Sequence, residues 1–144
     1  MAAMRSPFRS VQHVYFDDLD ALNILHNVRF LLFTERARGE LFDALGFHWD
    51  DDLVKNPDKF HVVAEHAIKY LAPVRGLNDL VVLLTPTHLG RSSVVLNARV
   101  EAMHGNTLHA ECTTRLVRLD PTTNKPCPWS DRFRAAIEPM VSKP

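Results

Sequence analysis

The chain has 144 residues, the size of one domain, and its 17 basic and 17 acidic residues cancel to zero formal charge at neutral pH. No global field therefore draws it to nucleic acid or to an anionic membrane surface, and no apolar run approaches the about 20 residues a spanning helix needs. Its two cysteines, Cys112 and Cys127, have neither CxxC spacing nor a framework pattern, which points to a reduced, cytoplasmic protein.

Met1 to Ser10 lacks the long apolar core of a signal peptide. Phe8 to Phe16 predicts a first strand, with Phe8, Val11, Val14 and Phe16 supplying β-favouring bulk. Asp17, Asp18 and Asp20 turn it into a loop. Val28 to Leu45 predicts a long helix with Asn27 as its N-cap and Gly46 at its stop. Phe30, Phe33, Ala37, Leu41, Ala44 and Leu45 fall on one face, and Leu31, Leu32 and Phe42 widen it, so the helix is expected to be buried on most sides. Glu35 with Arg38 and Arg36 with Glu40 are spaced to pair, and Gly39 suggests a close backbone approach.

Phe47 to Asp58 is polar and reads as a loop with at most one helical turn. Phe60 to Leu71 alternates, with Phe60, Val62, Ala64, His66, Ile68 and Tyr70 on one face. Further strands are expected at Leu80 to Thr85, Ser93 to Ala102 and Leu108 to Leu119, with a hairpin turn at His104-Gly105-Asn106-Thr107. Asp120-Pro121 starts a turn, and Ser130 caps a short helix reaching Pro139. The order predicts an α+β fold, 1–144 as a single domain, with an antiparallel sheet and one long helix across its concave face. Such a sheet leaves an open strand edge that a second copy can cover.

The stretch from Asp18 to Asn27 carries the chemistry. Two acids end a strand, and His26 and Asn27 stand at the mouth of the helix. Unpaired N–H groups there can polarise a carbonyl, while a nearby carboxylate attacks it or activates water. That suits hydrolysis of an activated acyl group. The alternative for Asp20 is a solvated loop acid, and Asp18 suits a structural role bonding the loop backbone.

Tyr15-Phe16-Asp17-Asp18-Leu19-Asp20-Ala21, then His26-Asn27, then Phe33-Thr34-Glu35-Arg36-Ala37-Arg38 resemble the hotdog-fold acyl-CoA thioesterases, in the branch of 4-hydroxybenzoyl-CoA thioesterase. Tyr70-Leu71-Ala72-Pro73-Val74-Arg75 and Leu89-Gly90-Arg91-Ser92-Ser93 extend the likeness, which covers roughly residues 8 to 120. The resemblance implies a hotdog fold, a five-stranded antiparallel sheet wrapped around one central helix. It implies Asp20 as the catalytic carboxylate, Asn27 beside the thioester, and Arg91 and Ser92 on coenzyme A phosphates. It also implies a homodimer or homotetramer with shared active sites. Relatives often have glycine where Leu22 and Asn23 stand, and tyrosine at Phe30.

Other readings stay open beside it. His26 is a candidate acid/base group or a loop histidine. His66, Phe30 and Tyr70 are candidates to line an acyl pocket, with core packing as the alternative for His66 and Tyr70. Arg75 and Lys69 are candidates to join Arg91 in a phosphate-binding patch. Glu35 stands where a different hotdog branch keeps its acid, though an ion pair with Arg38 suits it better. None of the eight histidines has HExxH spacing, and His61 and His66, five apart on a strand, are expected on opposite faces. No metal and no cofactor are predicted. The rival functions are an acyl-thioester hydratase or dehydratase using His66 or His26 with Asp20, and a non-catalytic acyl-thioester binding protein.

Overall fold

The computed structural model describes residues 3–142. Strand β1 (Phe8–His13) is followed by helix α1 (Asn27–Ala44), strands β2 (His61–Tyr70), β3 (Asp79–Leu89), β4 (Ser93–Ala102) and β5 (Leu108–Arg118), and helix α2 (Asp131–Ile137). The strands form one antiparallel sheet in the order β1-β3-β4-β5-β2. This is the expected α+β hotdog arrangement, with α1 packed on the sheet and β1 and β2 left as edges. No helix among the described residues is long and apolar enough to cross a membrane.

The core lies between α1 and the inner face of the sheet. Phe33, Ala37 and Leu41 are fully buried, facing Val82, Val94, Leu96, Val100 and Leu116. Burial of each large apolar side chain contributes about 1.5–3 kcal/mol. The helix ends as its sequence implied. Gly46 adopts a positive φ of 88°, its N–H reaches the Asp43 carbonyl and the Phe47 N–H the Phe42 carbonyl, a Schellman motif. Ser130 caps α2 by accepting from the Phe133 N–H at 3.1 Å. That helix is part of the core: Phe133 and Ile137 are buried, and Phe133 stacks on Trp129 with ring centroids 4.2 Å apart. It stops at Ile137 rather than Pro139, and a 3₁₀ turn over Glu138–Met140 follows.

Several expectations are corrected. β1 ends at His13 because Phe16–Asp18 forms a 3₁₀ turn. β3 runs on to Leu89; Pro86 is tolerated because the register shifts between Pro86 and His88, and proline is admitted at bulges. α1 is not buried on most sides: Glu35, Arg36, Gly39 and Glu40 form an exposed outer face. Glu35 does sit 3.9 Å from Arg38, but Glu40 turns from Arg36 to the buried β1 pair Ser10 and Gln12.

The alternation of β2 is broken by a bulge. Val63 pairs with Leu116 and Glu65 with Arg115, so Ala64 is the extra residue. His61 and Val63 before the bulge, and His66 and Ile68 after it, are the half-buried positions, whereas Val62 and Ala64 are exposed. The two histidines therefore both face α1, contrary to the period-two expectation.

Gly39 makes no close approach. A Cβ built there meets nothing within 4 Å. Gly39→Ala is therefore expected to raise stability by about 1 kcal/mol, since glycine carries only an entropic cost in an open helix interior. Urea denaturation measures it, and a lower midpoint would contradict the open position.

Candidate active site

The site begins in the loop between β1 and α1. Leu19 bridges Leu25 as in a short antiparallel hairpin; the Asp20 N–H donates to the Ile24 carbonyl at 2.8 Å and the His26 N–H to the Asp18 carbonyl at 3.0 Å. Asn23 makes the turn possible with a φ of 62°, a conformation asparagine tolerates where most side chains do not. The loop is tied to the chain after β2 by the Leu25 N–H on the Val74 carbonyl, 2.9 Å, and by the Ile24–Arg75 bridge.

The two acids have different surroundings. Asp18 is buried; its Oδ2 accepts the Tyr15 N–H at 2.8 Å, and its Oδ1 lies 3.4 Å from Arg29 Nε. It holds the loop. Asp20 is only half-buried, and its Oδ1 accepts the N–H groups of Leu22 at 2.8 Å and Ile24 at 3.1 Å. Its Oδ2 has no hydrogen-bond partner among the described residues. One oxygen is anchored and the other is free to act.

The N-cap of α1 is His26, not Asn27, and no side chain caps the helix. Asn27 is already helical, because the Asp18 carbonyl holds the backbone of His26 and starts the helix one residue sooner. The His26 ring and the Asn27 side chain are exposed and unbonded among the described residues. The N–H groups of Asn27 and Val28 likewise have no described acceptor. An uncapped N-terminus of this kind presents partial positive charge to any carbonyl above it.

Beside it opens a cleft of about 310 Å³ lined by Leu25, Asn27, Phe30, Tyr70, Leu71 and Pro73. The Tyr70 hydroxyl donates to the Asn27 carbonyl at 3.0 Å, and its ring meets Phe30 edge-on at 5.5 Å. Phe30 is buried beneath Tyr70, which is 49% exposed. The structure thus brings Asn27, Phe30 and Tyr70 together, on the helix that the Asp20 loop leads into. Leu71 and Pro73 join them; they belong to the Tyr70 to Arg75 stretch that carries the family likeness, which is the signal that could have named them as site residues.

Three expected site residues lie elsewhere in the chain. His66 Nδ1 is 2.9 Å from Thr114 Oγ1, and its Nε2 is 3.9 Å from Glu35. It stands four residues along β2 from Tyr70, about 13 Å. Arg91 and Ser92 occupy the β3–β4 turn, where their carbonyls accept the N–H groups of Trp129 and Arg118. That is the opposite end of β3 from the cleft, about 30 Å away. Arg75 bridges Ile24 at the cleft end, so Arg91, Arg75 and Lys69 do not form one patch within the chain.

The model of the thioesterase-like superfamily matches residues 14–137. The acyl-CoA thioester hydrolase YbgC of Escherichia coli O6:H1 is 30% identical over 120 residues, 83% of this chain and 87% of that protein. The acyl-CoA thioesterase YbgC of Haemophilus influenzae is 27% identical, over 86% of this chain and 89% of its own. A solved thioesterase of Thermus thermophilus, complexed with coenzyme A and zinc, is 28% identical, covers 96% of this chain and 98% of its own, and superimposes with a TM-score of 0.78.

Proposed function

Because the chain belongs to the thioesterase-like superfamily, we propose that it hydrolyses an acyl-CoA thioester, with Asp20 as the reacting carboxylate at the N-terminus of α1. The observation that carries this is the anchoring of Asp20 Oδ1 by two loop N–H groups, with Oδ2 left unengaged. The thioester carbonyl sits over the Asn27 and Val28 N–H groups, which stabilise the oxyanion; removing one such donor typically costs about 10²–10³ in rate. Asp20 Oδ2 either takes a proton from the water that adds to the carbonyl, or adds itself to give a mixed anhydride that water then opens. In both routes the C–S bond breaks, coenzyme A leaves as its thiol, and the acid is released. The acyl group lies along Phe30 and Tyr70 in the cleft. The likeness to proteins named acyl-CoA thioester hydrolase supports this substrate class. Thiol release from short, medium, long-chain and aromatic acyl-CoAs tests it; no release from any of them would sink the reading. His66 faces Glu35 rather than the cleft, so within one chain it does not join Asp20 as the hydratase reading built on His66 needs.

The site is completed by a second copy. β2 is an edge strand with no neighbour on its outer side among the described residues. Antiparallel self-pairing sets the His61 end of one β2 beside the Tyr70 end of the other. His61 pairs with Arg118, whose N–H meets the Ser92 carbonyl, so the partner's Arg91 comes to the end of the assembly that holds Asp20. There it meets the coenzyme A phosphates. Light scattering is expected to give about twice the chain's 16.4 kDa or a multiple of that dimer; a monomer at assay concentration would exclude the shared site.

A further inference from the structure

Helix α1 opens with a charge of the disfavoured sign. Its third residue is Arg29, and its first turn holds no acid. A cation there opposes the helix dipole, at a position where an acidic side chain would instead help to cap the free N–H groups. A specific partner offsets this. The guanidinium turns back to the loop before the helix: Nε lies 3.4 Å from Asp18 Oδ1, and Nη2 donates to the Asp17 carbonyl at 3.4 Å. Arg29 is the one cation paired with Asp18 among the described residues.

Asp18 is the root of the loop that carries Asp20. It is buried, its Oδ2 accepts the Tyr15 N–H, and its carbonyl accepts the His26 N–H. Leu19 then bridges Leu25, and the Asp20 N–H reaches the Ile24 carbonyl. Backbone bonds therefore fix the spacing inside this hairpin, and Asp20 stands two residues beyond its root. Among the described residues, the Arg29 fork is the one side-chain tie between the loop and the first turn of α1. That turn presents the Asn27 and Val28 N–H groups. A planar guanidinium on two acceptors fixes an orientation that a single point charge does not. The demand on orientation is high: reacting groups must be held within about 0.5 Å of their productive geometry, and a displacement of about 1 Å can cost about 10²-fold in rate.

We propose, resting on the reading of Asp20 as the reacting carboxylate, that Arg29 is a positioning residue. Its fork on Asp18 and Asp17 holds the loop so that Asp20 Oδ2 and the helix N–H groups meet the same carbonyl. Arg29→Met keeps the aliphatic stem and removes the fork. It is expected to lower kcat at least about 10-fold with KM little changed, and to speed amide hydrogen exchange over residues 18–26 while exchange in the sheet stays at the wild-type rate. Because Arg29→Met leaves the buried Asp18 carboxylate unpaired, the double variant Asp18→Asn/Arg29→Met separates stability from positioning. Its asparagine oxygen still accepts the Tyr15 N–H, and no charge is left unpaired. It is expected to regain stability toward urea yet remain slow in turnover and fast in loop exchange, and it makes the measurement alone if Arg29→Met does not fold. Recovery of kcat together with stability would overturn the proposal, since the fault would then be an unpaired charge and not a lost strap. Wild-type kcat and loop exchange in either variant would overturn it too. If the wild type releases no thiol from any acyl-CoA, the hydrolase reading falls by itself, and loop exchange decides whether Arg29 holds Asp20: unchanged exchange in the variants overturns the strap, and faster exchange upholds it.

Discussion

Asp20→Asn is expected to lower thioester turnover at least about 100-fold, about 2.7 kcal/mol of transition-state stabilisation. The substitution suits the question because an asparagine Oδ1 still accepts the Leu22 and Ile24 N–H groups that position the loop. What it lacks is the charge and basicity of the free oxygen. The loss should therefore fall on kcat, with KM little changed, since the aromatic cleft of Phe30 and Tyr70 is untouched. Thiol release and circular dichroism on the same preparation make the measurement. A folded variant that keeps wild-type turnover would remove Asp20 from the chemistry and return the site to a binding role. Asp18 provides the contrast: buried and bonded to the Tyr15 N–H, it acts through loop structure, so losing it would show as lost stability as well as lost rate.

Asp58→Ala is expected to cost about 3–5 kcal/mol of stability, a fall of roughly 10–17 °C in melting temperature. Asp58 is 3% exposed, and its two oxygens accept from Ser130, the backbone N–H at 2.8 Å and the hydroxyl at 2.5 Å. Ser130 in turn caps α2. Arg118, its side chain 16% exposed, lies 3.7 Å from the same carboxylate. Alanine would leave a buried guanidinium without its counter-charge and a helix cap without its support. Adding Arg118→Met to Asp58→Ala is expected to cost less than the two single changes summed, because both disrupt one pair. A single-variant cost below about 1 kcal/mol would mean that the aromatic contacts of Trp129 and Phe133 alone hold α2 in place.

The grouping of the candidate residues in one loop was legible because it is local. Asp18, Asp20, His26 and Asn27 lie within ten residues, and a hairpin-like loop holds them. The roles inside that stretch were less so. Asn27 has the better capping side chain, yet His26 is the N-cap, because a backbone bond to Asp18 sets where the helix begins. Asn23 stands where relatives often have glycine, and its left-handed conformation preserves the turn that glycine would make.

The sequence by itself determined the features that depend on neighbours in the chain. These are the period of α1, its stop at Gly46, the turn at Gly105, the cap at Ser130 and the succession of strands from which the sheet follows. Each is decided by backbone preference or by apolar spacing over a few residues. Tertiary structure decided what depends on partners far along the chain. The Ala64 bulge turned His61 toward α1 because β5 fixes the register on both sides of it. The outer face of α1 stayed open, leaving Gly39 without neighbours. Arg91 went to the far end of the sheet because β3 is eleven residues long. Spacing in sequence carries no record of these, since strand register and helix packing are set by burial summed over the whole sheet.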